Sequence, residues 1–175
     1  LNLKKGSIIS CGPSDAGFGK VEFNLSCSDK VKADFNLAVA MLHSFEYDEA
    51  EKAFAKVIEQ DPRCPMAYWG VAMSSFHALW SAPDAEGLQK GKKAIEIAQN
   101  LKTSSEKEKD YIDAIAAFYT NTDKLSHEAR KENYRLEMEK LYAKYPTDKE
   151  AAIFYALALN ATADPTDKTF AKQKK

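Results

Sequence analysis

The sequence predicts an all-α fold, an array of antiparallel helices with short connections. Three observations carry this. From Ser28 to Ala163 apolar residues recur at helical spacing almost without a break. Prolines at 62, 83, 146 and 165 fall between the periodic stretches, where helices stop. Alternation of the strand kind is confined to Lys20-Val21-Glu22-Phe23-Asn24-Leu25. A chain of 175 residues, 45% apolar, can bury a core without disulfides or a metal.

The elements follow in order. Residues 1–27 form an extended segment, broken by Gly6, Gly12, Pro13, Gly17 and Gly19. Its alternating part is expected to lie along the first helices and cover apolar surface. Residues 28–163 form the helical domain. The first helix, 28–45, sets Leu37, Ala38, Met41, Leu42 and Phe45 on one face. After a turn at Glu46, the second carries Tyr47, Ala50, Phe54, Val57 and Ile58. It ends at Asp61-Pro62, because a residue before proline is pushed out of helical geometry. The third starts near Pro65, which a first turn tolerates, and reaches Leu79. A loop at 81–86 leads to the fourth helix, 84–101, which buries Leu88, Ala94, Ile95 and Ala98. Thr103 with Glu106 reads as a capping box opening the fifth helix, with Tyr111, Ile112, Ile115, Phe118 and Tyr119. Ser126 caps the sixth, with Tyr134, Met138, Leu141 and Tyr142. Thr147 with Glu150 makes a second capping box for the seventh, with Ile153, Phe154, Leu157 and Leu159. Residues 164–175 are expected to begin a further helix or form a tail. Seven or eight such helices leave one architectural question, bundle or solenoid.

The stretch Val31–Pro62 bears on that question. It holds Asn36-Leu37-Ala38, Ala40, Tyr47-Asp48-Glu49-Ala50, Phe54 and Asp61-Pro62. On these residues it resembles a tetratricopeptide (TPR) unit. Ala38 and Ala50 are small where two helices touch, Leu37 and Phe54 fill the space beside them, and Pro62 stops the helix. Phe45 stands where a turn-favouring glycine is common. A shift of 34 residues, the TPR period, aligns Phe35, Leu37, Ala38, Val39, Leu42 and His43 with Trp69, Val71, Ala72, Met73, Phe76 and His77. Further on, Ala156 keeps the small contact residue and Pro146 the stop. The resemblance implies helix-hairpin repeats wound into a right-handed superhelix, an α-solenoid of three repeats and the start of a fourth.

Several strings extend the resemblance. They are Ser26-Cys27, Leu42-His43-Ser44-Phe45, Ala67-Tyr68-Trp69-Gly70, Phe154-Tyr155-Ala156-Leu157-Ala158-Leu159 and Asp164-Pro165-Thr166-Asp167-Lys168-Thr169. They are similar to the N-terminal region of a bacterial TPR-containing family whose members continue into histidine-rich repeats. On that likeness the chain is expected to correspond to an N-terminal portion. The likeness carries over no biochemical role.

In a TPR stack the first helices of successive repeats line the concave face. Phe35, Val39, Leu42 and His43 are therefore expected beside Trp69, Met73, Phe76 and His77, with Trp80 at the helix end. Such an aromatic groove anchors a helix or an extended peptide. The alternative is that Val21–Leu25 or later repeats cover it, since large exposed apolar patches on monomers are uncommon. TPR proteins that clamp acidic tails use Lys and Asn at positions held here by Phe35 and Val39, so that activity is not expected. The leading reading is a non-enzymatic scaffold that binds a protein or peptide and needs no cofactor. With 25 Lys plus Arg against 26 Asp plus Glu, and basic residues clustered only at the tail, nucleic acid is not an expected partner. No phosphate-binding glycine loop, hydrolase string or zinc-protease string occurs. A rival reading is a metal-binding or enzymatic module built on His43 and His77, with Cys27, Cys64 and Asp34 as candidates for further ligands. Another is a structural module whose groove is filled by its own chain or a second copy.

Cys27 and Cys64 each precede the first helix of a repeat, so they are expected close together. Neighbouring axes ~8–10 Å apart exceed the ~5.5 Å Cα spacing of a disulfide, and flexible approach segments would close the gap. A bridge is expected, with two free buried thiols as the alternative. It requires an oxidising compartment. Lys4 and Lys5 before Ile8-Ile9-Ser10-Cys11-Gly12 resemble the end of a bacterial lipoprotein signal, with Cys11 the lipidation candidate. The apolar stretch is shorter than the ~7–15 residues of an export signal. An exported protein is expected, touching a membrane only through a lipid anchor, with the cytoplasm as the alternative. No run reaches the ~18 apolar residues of a transmembrane helix.

Overall fold

The computed structural model describes residues 1–9, 18–101 and 103–174. Among them the fold is all-α. A 3-10 turn, Asp29–Val31, leads into α1 (Lys32–His43), α2 (Tyr47–Gln60), α3 (Pro65–Phe76), α4 (Ala85–Asn100), α5 (Glu106–Tyr119), α6 (His127–Lys144) and α7 (Lys149–Ala161). No strand occurs among the described residues.

Local chemistry fixes the helix starts. Asp84 accepts a bond from the Gly87 N–H at 2.7 Å, and Ser126 one from the Ala129 N–H at 3.2 Å. Such caps contribute roughly 1 kcal/mol each. The two expected capping boxes sit elsewhere. Ser105, not Thr103, caps α5, and Asp148, not Thr147, caps α7 through the N–H groups of Glu150 and Ala151. The extended backbone that a cap requires falls at those residues. Thr103 instead donates to the Glu108 carboxylate at 2.5 Å. No helix begins at Thr166. Asp164 and Asp167 accept bonds from the N–H groups of Thr166 and Thr169, both at 2.8 Å, and such local turns compete with a helix.

Each helix packs on the next, and α1 also meets α3, as α3 meets α5. Ala38, Ala50 and Phe54 are fully buried where α1, α2 and α3 converge. Gly70 allows the closest approach. A Cβ there would meet Phe54 ring carbons at 2.3 and 2.4 Å. That ring is wedged between Phe35 and Trp69, with centroids 5.4 and 6.5 Å away, so it cannot yield. Gly70→Ala is therefore expected to lower stability by about 1–3 kcal/mol through overpacking. Urea unfolding measures this, and an unchanged midpoint would show that α2 and α3 stand further apart than described.

The face expected to line an open groove is the core itself. Phe35, Val39, Leu42, Trp69, Met73 and Phe76 are all buried. Four parts of the chain cover them. Phe23 of the extended segment touches Phe35, Trp69 and Tyr111 at centroid distances of 5.5, 5.9 and 5.0 Å. Phe154 of α7 meets Trp69 at 5.5 Å and His43 at 4.9 Å. Phe118 and Tyr134 close over Phe76. Exposing these rings would cost about 25 cal/mol per Å² of apolar surface, which favours the closed arrangement. Four residues expected on apolar faces, Leu37, Phe45, Tyr142 and Ile153, are exposed instead.

Candidate functional site

Two turns lie at the tips of the first two hairpins. In each, a bulky residue adopts the left-handed backbone that glycine usually takes: Phe45 at φ 60° and His77 at φ 49°. Such a conformation costs a non-glycine residue roughly 1–2 kcal/mol. The result is an aromatic rim. Phe45 is 40% exposed and Trp80 58% exposed. Their rings meet near-perpendicularly at 5.8 Å. Tyr47 continues the rim toward Phe45, and its ring lies 4.7 Å from the His77 imidazole.

Behind the rim is a polar cleft of about 360 Å³, lined by Asp48, Glu51, Ser74, Ser75, His77 and Lys90 among others. Glu51 is buried, and Lys90, partly buried, bonds to it at 2.9 and 3.1 Å. Burial lowers the His77 pKa, an effect Asp48 opposes, and pushes the Tyr47 hydroxyl up to about 12. Lys4 hydrogen-bonds Asp48 and holds its carboxyl below the usual carboxylate range. The Ser74 hydroxyl donates to the Gly70 carbonyl at 2.9 Å, away from His77. The cleft therefore offers paired charges, hydroxyls and a flanking apolar platform, a combination suited to recognising a polar chain with apolar side groups.

His43 lies elsewhere. Its Nε2 and Glu150 Oε2 are 2.7 Å apart, at the edge of a second cleft of about 440 Å³ that Glu150 lines with Lys20, Lys107, Lys144 and Asp148. In this cleft Lys107 pairs with Asp148 at 2.7 Å, Lys20 with Glu22 at 2.6 Å and Lys144 with Asp110 at 2.7 Å. His43 and His77 thus have separate partners. Among the described residues no group of three or more His, Cys, Asp or Glu gathers as metal ligands.

Cys27 and Cys64 are joined by a disulfide with a Cα–Cα distance of 5.2 Å. Beside it Glu108, fully buried, accepts bonds from the Ser26 N–H at 2.5 Å and the Ser26 hydroxyl at 2.6 Å. Cys11 lies outside the described residues. No described helix is long and apolar enough to cross a membrane.

Of the nine expected groove residues, only His77 and Trp80 belong to the rim or its cleft. Phe45, Tyr47, Asp48, Glu51 and Lys90 join them. One signal pointed to Phe45: a large ring where a turn favours glycine. Nothing local distinguishes Glu51 or Lys90 from solvated charges, because their pairing bridges α2 and α4. Comparisons with protein-family models, curated proteins and solved structures gave no match to this chain.

Proposed function

We propose that the chain is a TPR-like helical-repeat scaffold, not an enzyme, that binds an extended protein or peptide segment at its hairpin tips. The binding surface is the aromatic rim and its cleft, in place of the filled concave face. The observation that carries this reading is the exposed Phe45–Trp80 pair, displayed by two left-handed residues. Strained backbone concentrates at functional sites, and aromatic anchors dominate binding energy at interfaces. The repeat reading is supported by the buried Ala38 and Ala50 and by the packing of α1 on α3 across the first two hairpins. The disulfide supports an oxidising compartment.

A random peptide library displayed on phage and panned against the full chain tests the proposal. Selected peptides are expected to lose about ten-fold or more in affinity on Trp80→Ala, equivalent to about 1.4 kcal/mol. Folding stability should change by no more than about 0.5 kcal/mol, as for other surface positions. Peptides that bind the variant equally well would overturn the proposal. A purely structural module is the second reading, favoured by the filling of the concave face by Phe23 and Phe154. It expects no Trp80-dependent peptide at all.

A further inference from the structure

The extended segment is attached in two different ways. Residues 18–28 are built into the protein, with Phe23 and Leu25 in the core and Cys27 in the disulfide. Residues 4–9 instead lie along α2, in part through groups that contact the main chain. The Lys4 N–H donates to Glu51 and the Ile9 N–H to Glu49, both at 2.8 Å, and the Ser7 carbonyl accepts from Lys52 at 3.4 Å. Any extended segment could supply those groups, so this part of the recognition is tolerant of sequence. Side chains add selectivity. The Lys4 ammonium meets Asp48, Lys5 pairs with Glu59 at 3.3 Å, and Leu3 and Ile8 pack partly buried against the core. Lys4 Nζ and the Asp48 carboxylate are both well exposed, so their pairing is weak and exchangeable. Lys4 itself lines the cleft behind the aromatic rim.

Resting on the function proposed above, we infer that the partner inserts an extended segment in which an apolar residue precedes a lysine. Lys4 reaches the cleft as an internal stand-in that the partner displaces, with Leu3 partly buried just before it. The lysine sits on Asp48, the main chain bonds to Glu51, and neighbouring apolar groups of the partner reach Phe45 and Trp80. Along α2, Asp48 and Glu59 meet the ammonium groups of Lys4 and Lys5, while Glu49 and Glu51, paired with Lys52 and Lys90, accept main-chain N–H groups of the segment.

The test uses the full chain and a fluorescent nonapeptide, Leu-Asn-Leu-Lys-Lys-Gly-Ser-Ile-Ile, read by fluorescence anisotropy. Lys4→Glu in the protein sets a carboxylate against Asp48 and should free the cleft, so that the peptide binds about ten-fold or more tighter than to the unmodified chain. Leu3→Ser should give the same gain by loss of the apolar contact. Asp48→Asn added to Lys4→Glu should abolish the gain, and a peptide with glutamate at its fourth position should bind about ten-fold more weakly than the parent. Equal binding to the unmodified and Lys4→Glu chains, or indifference to the peptide lysine, would overturn the inference. So would a dimer of the unmodified chain that the peptide dissociates, because the occupant would then be a second copy. Trp80-dependent peptides from the library that lack lysine would overturn this inference while leaving the proposed function intact.

Discussion

Phe23→Ala is expected to lower the unfolding free energy by about 3–5 kcal/mol, the range for truncating a buried phenylalanine. Phe23 belongs to no helix, yet it stands among Phe35, Trp69 and Tyr111. The void left by its ring cannot readily collapse. The segment on either side is fixed, by the Phe23 N–H bond to Asn36 at 3.0 Å and by the Ser26–Glu108 bonds. A cavity that cannot relax places the loss toward the upper end. Urea unfolding in a Trp80→Phe background reads the change through Trp69, the remaining tryptophan, which is buried against Phe23. A loss below about 1 kcal/mol would be too small for a full core residue and would mean that the extended segment lies outside the core.

Replacing Cys27 and Cys64 together by serine is expected to cost about 4 kcal/mol in the chain-entropy account of cross-links. The bridge closes a loop across a sequence separation of 37 residues. For a domain of this size the loss corresponds to a melting temperature lower by about 8–16 °C. The bridge and Phe23 hold the same segment. Their losses should therefore be less than additive, since a segment already released by one change has less to lose from the other. Calorimetry of the single-site, paired-cysteine and combined variants measures this coupling. A melting temperature unchanged by the cysteine replacements would show that the segment is held by packing alone. Full additivity would show that Phe23 and the bridge act on separate parts of the fold.

Much of the helical layout is written locally. Pro62 and Pro65 bracket the junction of α2 and α3, and Asp84 and Ser126 cap the helices that follow them. Ala38 and Ala50 announce a close helix contact through their size alone, and both are fully buried. The two caps expected at Thr103 and Thr147 but found at Ser105 and Asp148 show the limit of such signals. Several polar residues stand within reach of each helix start, and the neighbouring chain decides between them: Thr103 is drawn to Glu108, which also binds Ser26. Of the site, His77 and Trp80 were legible among the expected groove residues, and Phe45 as a residue type that breaks a local preference. Asp48 and the Glu51–Lys90 pair gave no such sign.

By itself the sequence determined the all-helical fold, most element boundaries and the aromatic character of one face of α1 and α3. Only the tertiary structure decided that this face is interior, and that Phe45 and Trp80 are exposed together at the tips. Periodicity records which side of a helix is apolar. It does not record what will lie on that side. Here the covering groups are Phe23 and Phe154, the latter 85 residues from Trp69 in sequence (154 minus 69), and contacts at that separation are set by how the whole chain closes.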